Sequence, residues 1–314
     1  MRLVANWLAS NIVSGGPSII RKPGTFRSNL ELTNSLRSNF LAAQQDYASE
    51  TPQTNGHTNG DSHHITNGHG AWSEWTSSDG KAVYIPRIEP SPGLQEETSQ
   101  YDITVKLFFL PTAPAADRER YITEALELVR KELGNHKIDL LIASFPGMSF
   151  EGDCEVKADR LNALQGNLEE EVATWAALEK LQRRGDVSAL GIAEFGSQKL
   201  AKFLERIAIP PAVDQINTKD CCNVPPQLVH LAKEKGIVLL VHTDCTDILP
   251  EGTLRELLGS GPQGAGVLAG PDEGGNGLRG DVTPQWVVKY TALVKNRGVI
   301  ENKGYFAAAE LHDR

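Results

Sequence analysis

The sequence predicts an α/β fold built as a (β/α)8 TIM barrel, and three observations predict it. Short apolar runs alternate with amphipathic stretches across residues 101–242. The links between them are short, and parallel strands need helical crossovers of this kind. The alternation is regular, which favours a barrel over an open doubly wound sheet. With 314 residues, 40% of them hydrophobic, the chain can bury such a core.

The elements follow in order. Residues 1–13, "MRLVANWLASNIV", hold one Arg and an apolar stretch broken by Asn6 and Asn11. No clear cleavage pattern follows, so they read as structure and not as a secretory signal. Residues 1–47 form an N-terminal strand/helix segment of the barrel. Residues 48–72 form an insert rich in Asn, Gly, Thr and His, with almost no large apolar side chain. Such a stretch buries too little surface to offset its ordering entropy and is expected to be disordered. Its His57, His63, His64 and His69 lack a fixed ligand spacing and a cysteine partner, so no metal site is expected. Residues 73–314 hold the rest of the barrel.

Within that part "ITVKLFFLP" (103–111) reads as a strand. The helix after it carries Ile122, Leu126, Val129 and Leu133 at helical spacing and stops at Gly134. "KIDLLIASFPG" (137–147) is a short buried strand ending in a Pro-Gly turn. The next helix starts at Asn167 as N-cap, has acids in its first turn and Arg183 and Arg184 in its last. "SALGIAEF", "AVDQIN" and "GIVLLVH" are further strands, separated by the helices "SQKLAKFLERI" and "PPQLVHLAKEKG". Pro225 and Pro226 suit a helix start. The Gly-rich stretch 259–280 contains a literal G-x-G-x-x-G at Gly259, Gly261 and Gly264. It follows a helical stretch and not a strand, so it reads as a flexible loop and not a phosphate cradle. Residues 283–306 read as a helix, a short strand and a basic tail.

Composition narrows function. The net charge is −9 and no Lys/Arg-rich run appears, which argues against a nucleic-acid partner. No apolar stretch approaches the ~18 residues of a membrane span. Four cysteines, Cys154, Cys221, Cys222 and Cys245, make no disulfide framework and point to a reducing, cytoplasmic setting.

The strand–helix series resembles the aldo-keto reductases, NADPH-dependent (β/α)8 barrels. The residues that carry the resemblance are "KIDLLIASFP", "TWAALEKLQRRG", "VSALGIAEF", "VDQIN" and "EKGIVLLVH". The resemblance implies four catalytic positions, Asp, Tyr, Lys and His. Lys106 falls at the Lys and Ser144 at the His, and a hydroxyl lacks an imidazole's reach. Asp79 and Tyr84 have the family's five-residue separation in a context that does not match. Around the implied nicotinamide pocket, Ala193 and Glu194 stand where the family has Ser-Asn, Gln215 matches its carboxamide-binding Gln, and His242 replaces its stacking Tyr. Lys295, with Arg297, is what remains of an adenosine-phosphate grip. These vestiges allow weak NADPH binding and require no cofactor.

A narrower resemblance is to the regulatory (modifier) subunits of glutamate–cysteine ligase, a divergent branch of that fold. It rests on "VDQINTKDCCNVPPQLVHLAKEKGIVLLVHTD", with Cys221, Cys222, Pro225 and Pro226 at its centre. "QWVVKYTALVKNRGVIENKGYF", the "EW" at Glu74 and Trp75 and, more loosely, "SNIVSGG" add to it. It implies a non-catalytic subunit in a cytoplasmic heterodimer with the ligase's catalytic chain. Such a subunit would improve glutamate use and relieve glutathione feedback. The paired cysteines read either as a redox-sensitive or partner-facing loop or as two small residues packed at a barrel rim. A second reading of the whole is an active NADPH-dependent carbonyl reductase that uses Lys106 with Tyr84 and Asp79, and Ser144 in place of His.

Overall fold

The computed structural model describes residues 1–10, 28–50, 72–134, 136–150, 154–217, 224–245, 247–270 and 277–312. Five strands form the parallel half of one sheet: β4 (Tyr101–Phe109), β5 (Ile138–Ser144), β6 (Val187–Ala193), β7 (Val213–Asn217) and β8 (Val238–His242). Their crossovers run through α2 (Arg118–Leu133), α3 (Glu155–Asn162), α4 (Leu168–Arg183), α5 (Ser197–Leu204) and α6 (Pro226–Lys235). The stop and start signals act as read. Gly134 closes α2 in the left-handed conformation at φ 76°, and the Asn167 side chain accepts from the Glu169 and Glu170 N–H groups.

The remaining strands join differently. β1 (Arg2–Ser10) pairs antiparallel with β10 (Val299–His312) and parallel with β3 (Ala82–Ile85), which carries the short β2 (Ser77–Ser78). β9 (Asp281–Val294) pairs antiparallel with both β10 and β4. The ten strands run in the order β2-β3-β1-β10-β9-β4-β5-β6-β7-β8, so among the described residues the ladder is open between β2 and β8.

Most of the sheet is buried on both faces, and the strands at its two ends, β2 and β8, are exposed. Its outer face, with Ile103, Val105 and Leu107 of β4 and Leu141 of β5, packs on α2, α4, α5 and α6 through Tyr121, Trp175, Phe203 and Leu228. Its inner face, with Phe108, Val287 and Tyr305, packs on α1 (Ser28–Glu50) through Leu32, Leu36 and Phe40 and on α7 (Thr253–Leu258).

Three expectations change. The C-terminal stretch is a long two-stranded hairpin, not a helix followed by a short strand. β9 lies between two neighbours with Trp286, Val287, Val288 and Tyr290 all fully buried, so its sequence loses the alternation that marks a half-exposed strand. The Gly-rich stretch is anchored over residues 259–270. Ala265 and Val267 N–H groups bond the Leu257 and Leu258 carbonyls, and Val267 is fully buried. Helix α1 extends to Glu50 and Trp72 opens a helical turn, so both margins of the expected insert belong to ordered elements. Residues 51–71 of the insert, with its four histidines, lie outside the described residues, as do Cys221 and Cys222.

Candidate functional site

Side chains at alternate positions of a strand point to opposite faces, so position in the ladder decides what can meet. Lys106 lies between Val105 and Leu107, both on the outer face, and therefore points inward. It is opposite Lys289 of β9. Two ammonium groups on one rung repel, and the carboxylate of Asp244, two residues beyond β8, bridges them. Lys106 Nζ donates to Asp244 Oδ2 at 3.0 Å and Lys289 Nζ to Oδ1 at 2.9 Å. Lys106 is 5% exposed and Asp244 8%.

Burial would raise the Asp244 carboxyl, but the facing ammonium groups of Lys106 and Lys289 hold it well below the usual carboxylate range. Burial depresses the Lys106 ammonium, and Asp244 offsets part of that. The cluster continues to His242. The Asp244 N–H donates to His242 Nδ1 at 3.1 Å, which assigns the ring proton to Nε2 when the ring is neutral. Nε2 lies 2.6 Å from Glu194 Oε1, out of line for a hydrogen bond.

Glu194 follows β6 with φ 66°, a left-handed backbone that costs a non-glycine residue strain. It is held there from three sides. Its N–H donates to the Gln215 carbonyl at 2.8 Å, its carbonyl accepts from Asn162 Nδ2 at 2.6 Å, and Oε1 accepts from the Asn217 N–H at 3.2 Å. Asp214, fully buried on the outer face beside it, has its carboxyl raised well above normal by burial and by Glu194. One of its oxygens accepts from the Phe195 N–H at 3.5 Å, and the other has no partner among the described residues.

The structure brings Lys106, Glu194 and His242 together, and it adds Asp244 and Lys289. Sequence reasoning passed over those two because their partners are distant in the chain. Ser144, at the end of β5, and Gln215, in the middle of β7, are half-buried on the same inner face, and Gln215 Oε1 has no partner among the described residues. Ala193, at the end of β6, is fully buried and brings no hydroxyl. Pro226 opens α6 after Pro225 at its N-cap.

Other expected residues lie elsewhere. Tyr84 and Ala82 of β3 share the outer face with Val4, so Tyr84 is across the sheet from Lys106. Tyr84 Oη donates to Asp79 Oδ2 at 2.9 Å, and burial together with that carboxylate pushes its hydroxyl up to about 12. The reductase reading of Lys106 with Tyr84 and Asp79 therefore fails on geometry. Equal spacing along the chain carried no information about the sheet face. Lys295 also falls away. It sits at the β9–β10 turn against the start of β4, where Nζ donates to the Ser99 carbonyl at 3.3 Å, and Arg297 pairs with Glu96. The inner face does present one tyrosine near Lys289, Tyr305, but its hydroxyl is tied to Glu31 at 3.2 Å and raised far above normal by burial. No group of three or more His, Cys, Asp or Glu side chains able to hold a metal occurs among the described residues. No helix among them is long and apolar enough to cross a membrane.

Chemically, the arrangement is a largely buried ion cluster in which carboxylates offset the two ammonium groups. A proton donor for a carbonyl oxygen needs a hydroxyl beside the lysine, and both tyrosines considered are spoken for and hard to ionise.

Comparison with known proteins identifies a family. Residues 91–256, more than half of the chain, match the model of the aldo/keto reductase family. A mouse protein named glutamate–cysteine ligase regulatory subunit is 26% identical over 226 residues, covering 72% of this chain and 70% of that protein. Its human counterpart is 25% identical over the same shares. A Schizosaccharomyces pombe protein that bears the same description in provisional form is 27% identical over 233 residues, covering 71% of this chain and 76% of that protein. Among solved structures, a Bombyx mori aldo-keto reductase in complex with NADP superposes with a TM-score of 0.32 and 22% identity, over 45% of this chain and 40% of that one.

Proposed function

The chain belongs to the aldo/keto reductase family, and we propose that it serves as a non-catalytic regulatory subunit. Its partner is the catalytic chain of glutamate–cysteine ligase, in a heterodimer devoted to glutathione synthesis. It improves the ligase's use of glutamate and relieves glutathione feedback. The observation that carries this reading is the surroundings of Lys106: its partner is Asp244, and Tyr84, the expected proton donor, lies with Asp79 on the other side of the sheet. The similarity to proteins named as regulatory subunits of this ligase supports the choice of partner.

No cofactor is required under this reading. Gln215 and His242 leave room for weak NADPH contact, whereas the Glu194 carboxylate offers only acceptors where a carboxamide oxygen needs a donor. A partner raises a ligase's efficiency only by binding its competent conformation more tightly than the other. The experiment is twofold. Purified chain is expected to oxidise no NADPH with generic aldehydes above buffer, and to co-purify with the ligase's catalytic chain. Turnover abolished by Tyr84→Phe would overturn the reading in favour of a reductase.

A further inference from the structure

On the face of the sheet opposite the Lys106 cluster, a cavity of about 870 Å³ lies between α2 and the strands β1 and β3. That volume is in the range of small-molecule sites, about 300–1,000 Å³. Short side chains leave the room. Val4 of β1 and Ala82 of β3 line the cavity where longer ones would fill it, and the fully buried Trp286 of β9 adds an indole wall.

Helix α2 sets the chemistry. Arg120, Glu124, Glu127 and Lys131 all line the cavity. Their spacing of three and four residues keeps side chains on one helix face. Their order is cation, carboxylate, carboxylate, cation. At 1.5 Å of rise per residue, the two cations stand about 16 Å apart along the axis. The facing wall also carries both signs, with Asp79 and Lys81 from the turn before β3. At the mouth, Arg2 of β1 meets Glu310 of β10 at 3.3 Å. A wall of alternating charge selects a molecule that carries both signs, not a simple anion or cation.

Arg120 is placed to take a carboxylate. Its Nη2 makes both 3.2 Å contacts, with Asp117 and Glu310, while Nη1 stands 3.6 Å from Glu124, beyond hydrogen-bond length. A ligand that complements the order along α2 has a carboxylate at each end and an ammonium beside the two glutamates. Its ends must be far apart. A tripeptide spans about 10 Å when extended, and the long Arg120 and Lys131 side chains close the remainder. A single amino acid reaches one end only.

We propose that this cavity binds glutathione, a tripeptide with two terminal carboxylates and one ammonium. One carboxylate pairs with Arg120 and the other with Lys131, and Glu124 and Glu127 face the ammonium and the amide N–H groups. The proposal rests on the function proposed above and gives the regulatory chain its own contact with the pathway's product, apart from the inner-face cluster.

The test titrates reduced glutathione into the purified full chain, followed by calorimetry and by the amide resonances of Lys81 and Lys131. Saturable binding is expected, with both walls shifting together. Lys131→Glu and Glu127→Lys reverse charges at exposed positions and are each expected to weaken binding about tenfold, with melting temperature near wild type. Lys131→Arg keeps the charge and is expected to bind as wild type. Lys235→Glu, the same change of net charge on α6 outside the cavity, is expected to leave binding unchanged. Glutamate alone is expected to bind at least about tenfold more weakly than glutathione. Absence of saturable binding overturns the proposal. So does wild-type affinity in both cavity variants, equal weakening by Lys235→Glu, or equal affinity for glutamate. Because the chain is measured alone, each of these failures leaves the regulatory function standing, and failure of that function shows instead in the ligase's kinetics.

Discussion

Two ionic clusters on opposite faces of the sheet sit in opposite surroundings. On the inner face, Lys106, Lys289 and Asp244 form a compact cluster in which Lys106 and Asp244 are almost fully buried. On the outer face, beside β3 and β1, a cavity of about 870 Å³ is lined by Arg2, Arg120, Glu124 and Glu310, and Tyr84 opens onto it. There Arg120 is 45% exposed at its side chain and bridges Asp117 at 3.2 Å, Glu124 at 3.6 Å and Glu310 at 3.2 Å. Water screens the outer network, so each pair contributes little. In the inner cluster Lys106 and Asp244 are buried, so each of these two charges depends on its partner. The contrast is one of surroundings: a charge in the buried cluster is fixed by its partner, and a charge at the cavity wall is open to water.

The strongest way to sharpen the contrast is to remove Asp244. Asp244→Ala leaves Lys106 buried without its counter-ion and is expected to destabilise the fold by about 3–5 kcal/mol in chemical denaturation. Adding Lys106→Met is expected to recover much of that loss. A loss below about 1 kcal/mol would mean that water reaches the cluster. The pH dependence has a definite sign. The folded-state pKa of Asp244 is depressed, so its contribution is complete above the ordinary aspartate range and is lost as pH falls through the folded value, below about pH 4.

A smaller effect of opposite sign is expected at Asp214. Its folded pKa is raised, so wild-type stability falls as pH rises from the ordinary aspartate value toward the folded one. Asp214→Asn keeps an acceptor for the Phe195 N–H and removes the ionisable group. It is expected to stabilise the chain by about 1–3 kcal/mol at pH 7, with the gain shrinking toward pH 4. A gain independent of pH would show that the carboxyl does not titrate in this range.

The smallest effect belongs to the outer face. Tyr84→Phe removes one exposed hydrogen bond to Asp79 and is expected to change stability by no more than about 0.5 kcal/mol. It is expected to leave ligase activation unchanged.

Much of the parallel half was legible in the sequence because its signals are local. Asn167 and Gly134 mark helix ends by their own conformations, and the stripe Ile122, Leu126, Val129 and Leu133 reports the buried side of α2. The hairpin of β9 and β10 was illegible for the converse reason. Burial of successive residues 286–288 erases the period-two pattern, and the partners of the hairpin are distant, β4 more than half the chain away and β1 nearly the whole chain away. The site was half legible. Glu194 and His242 stand at strand ends, and Lys106 within a strand, that the alternation locates. Asp244 and Lys289 gain their meaning only when β8 and β9 converge on β4, and the face of Tyr84 is fixed by the β1–β3 register.

The most direct test of the regulatory account is the glutamate KM of the ligase's catalytic chain, measured alone and with saturating amounts of this chain. The account predicts a KM several-fold lower in the mixture, together with weaker inhibition by glutathione. Identical kinetics with and without the chain, at concentrations where it is present in excess, would contradict it.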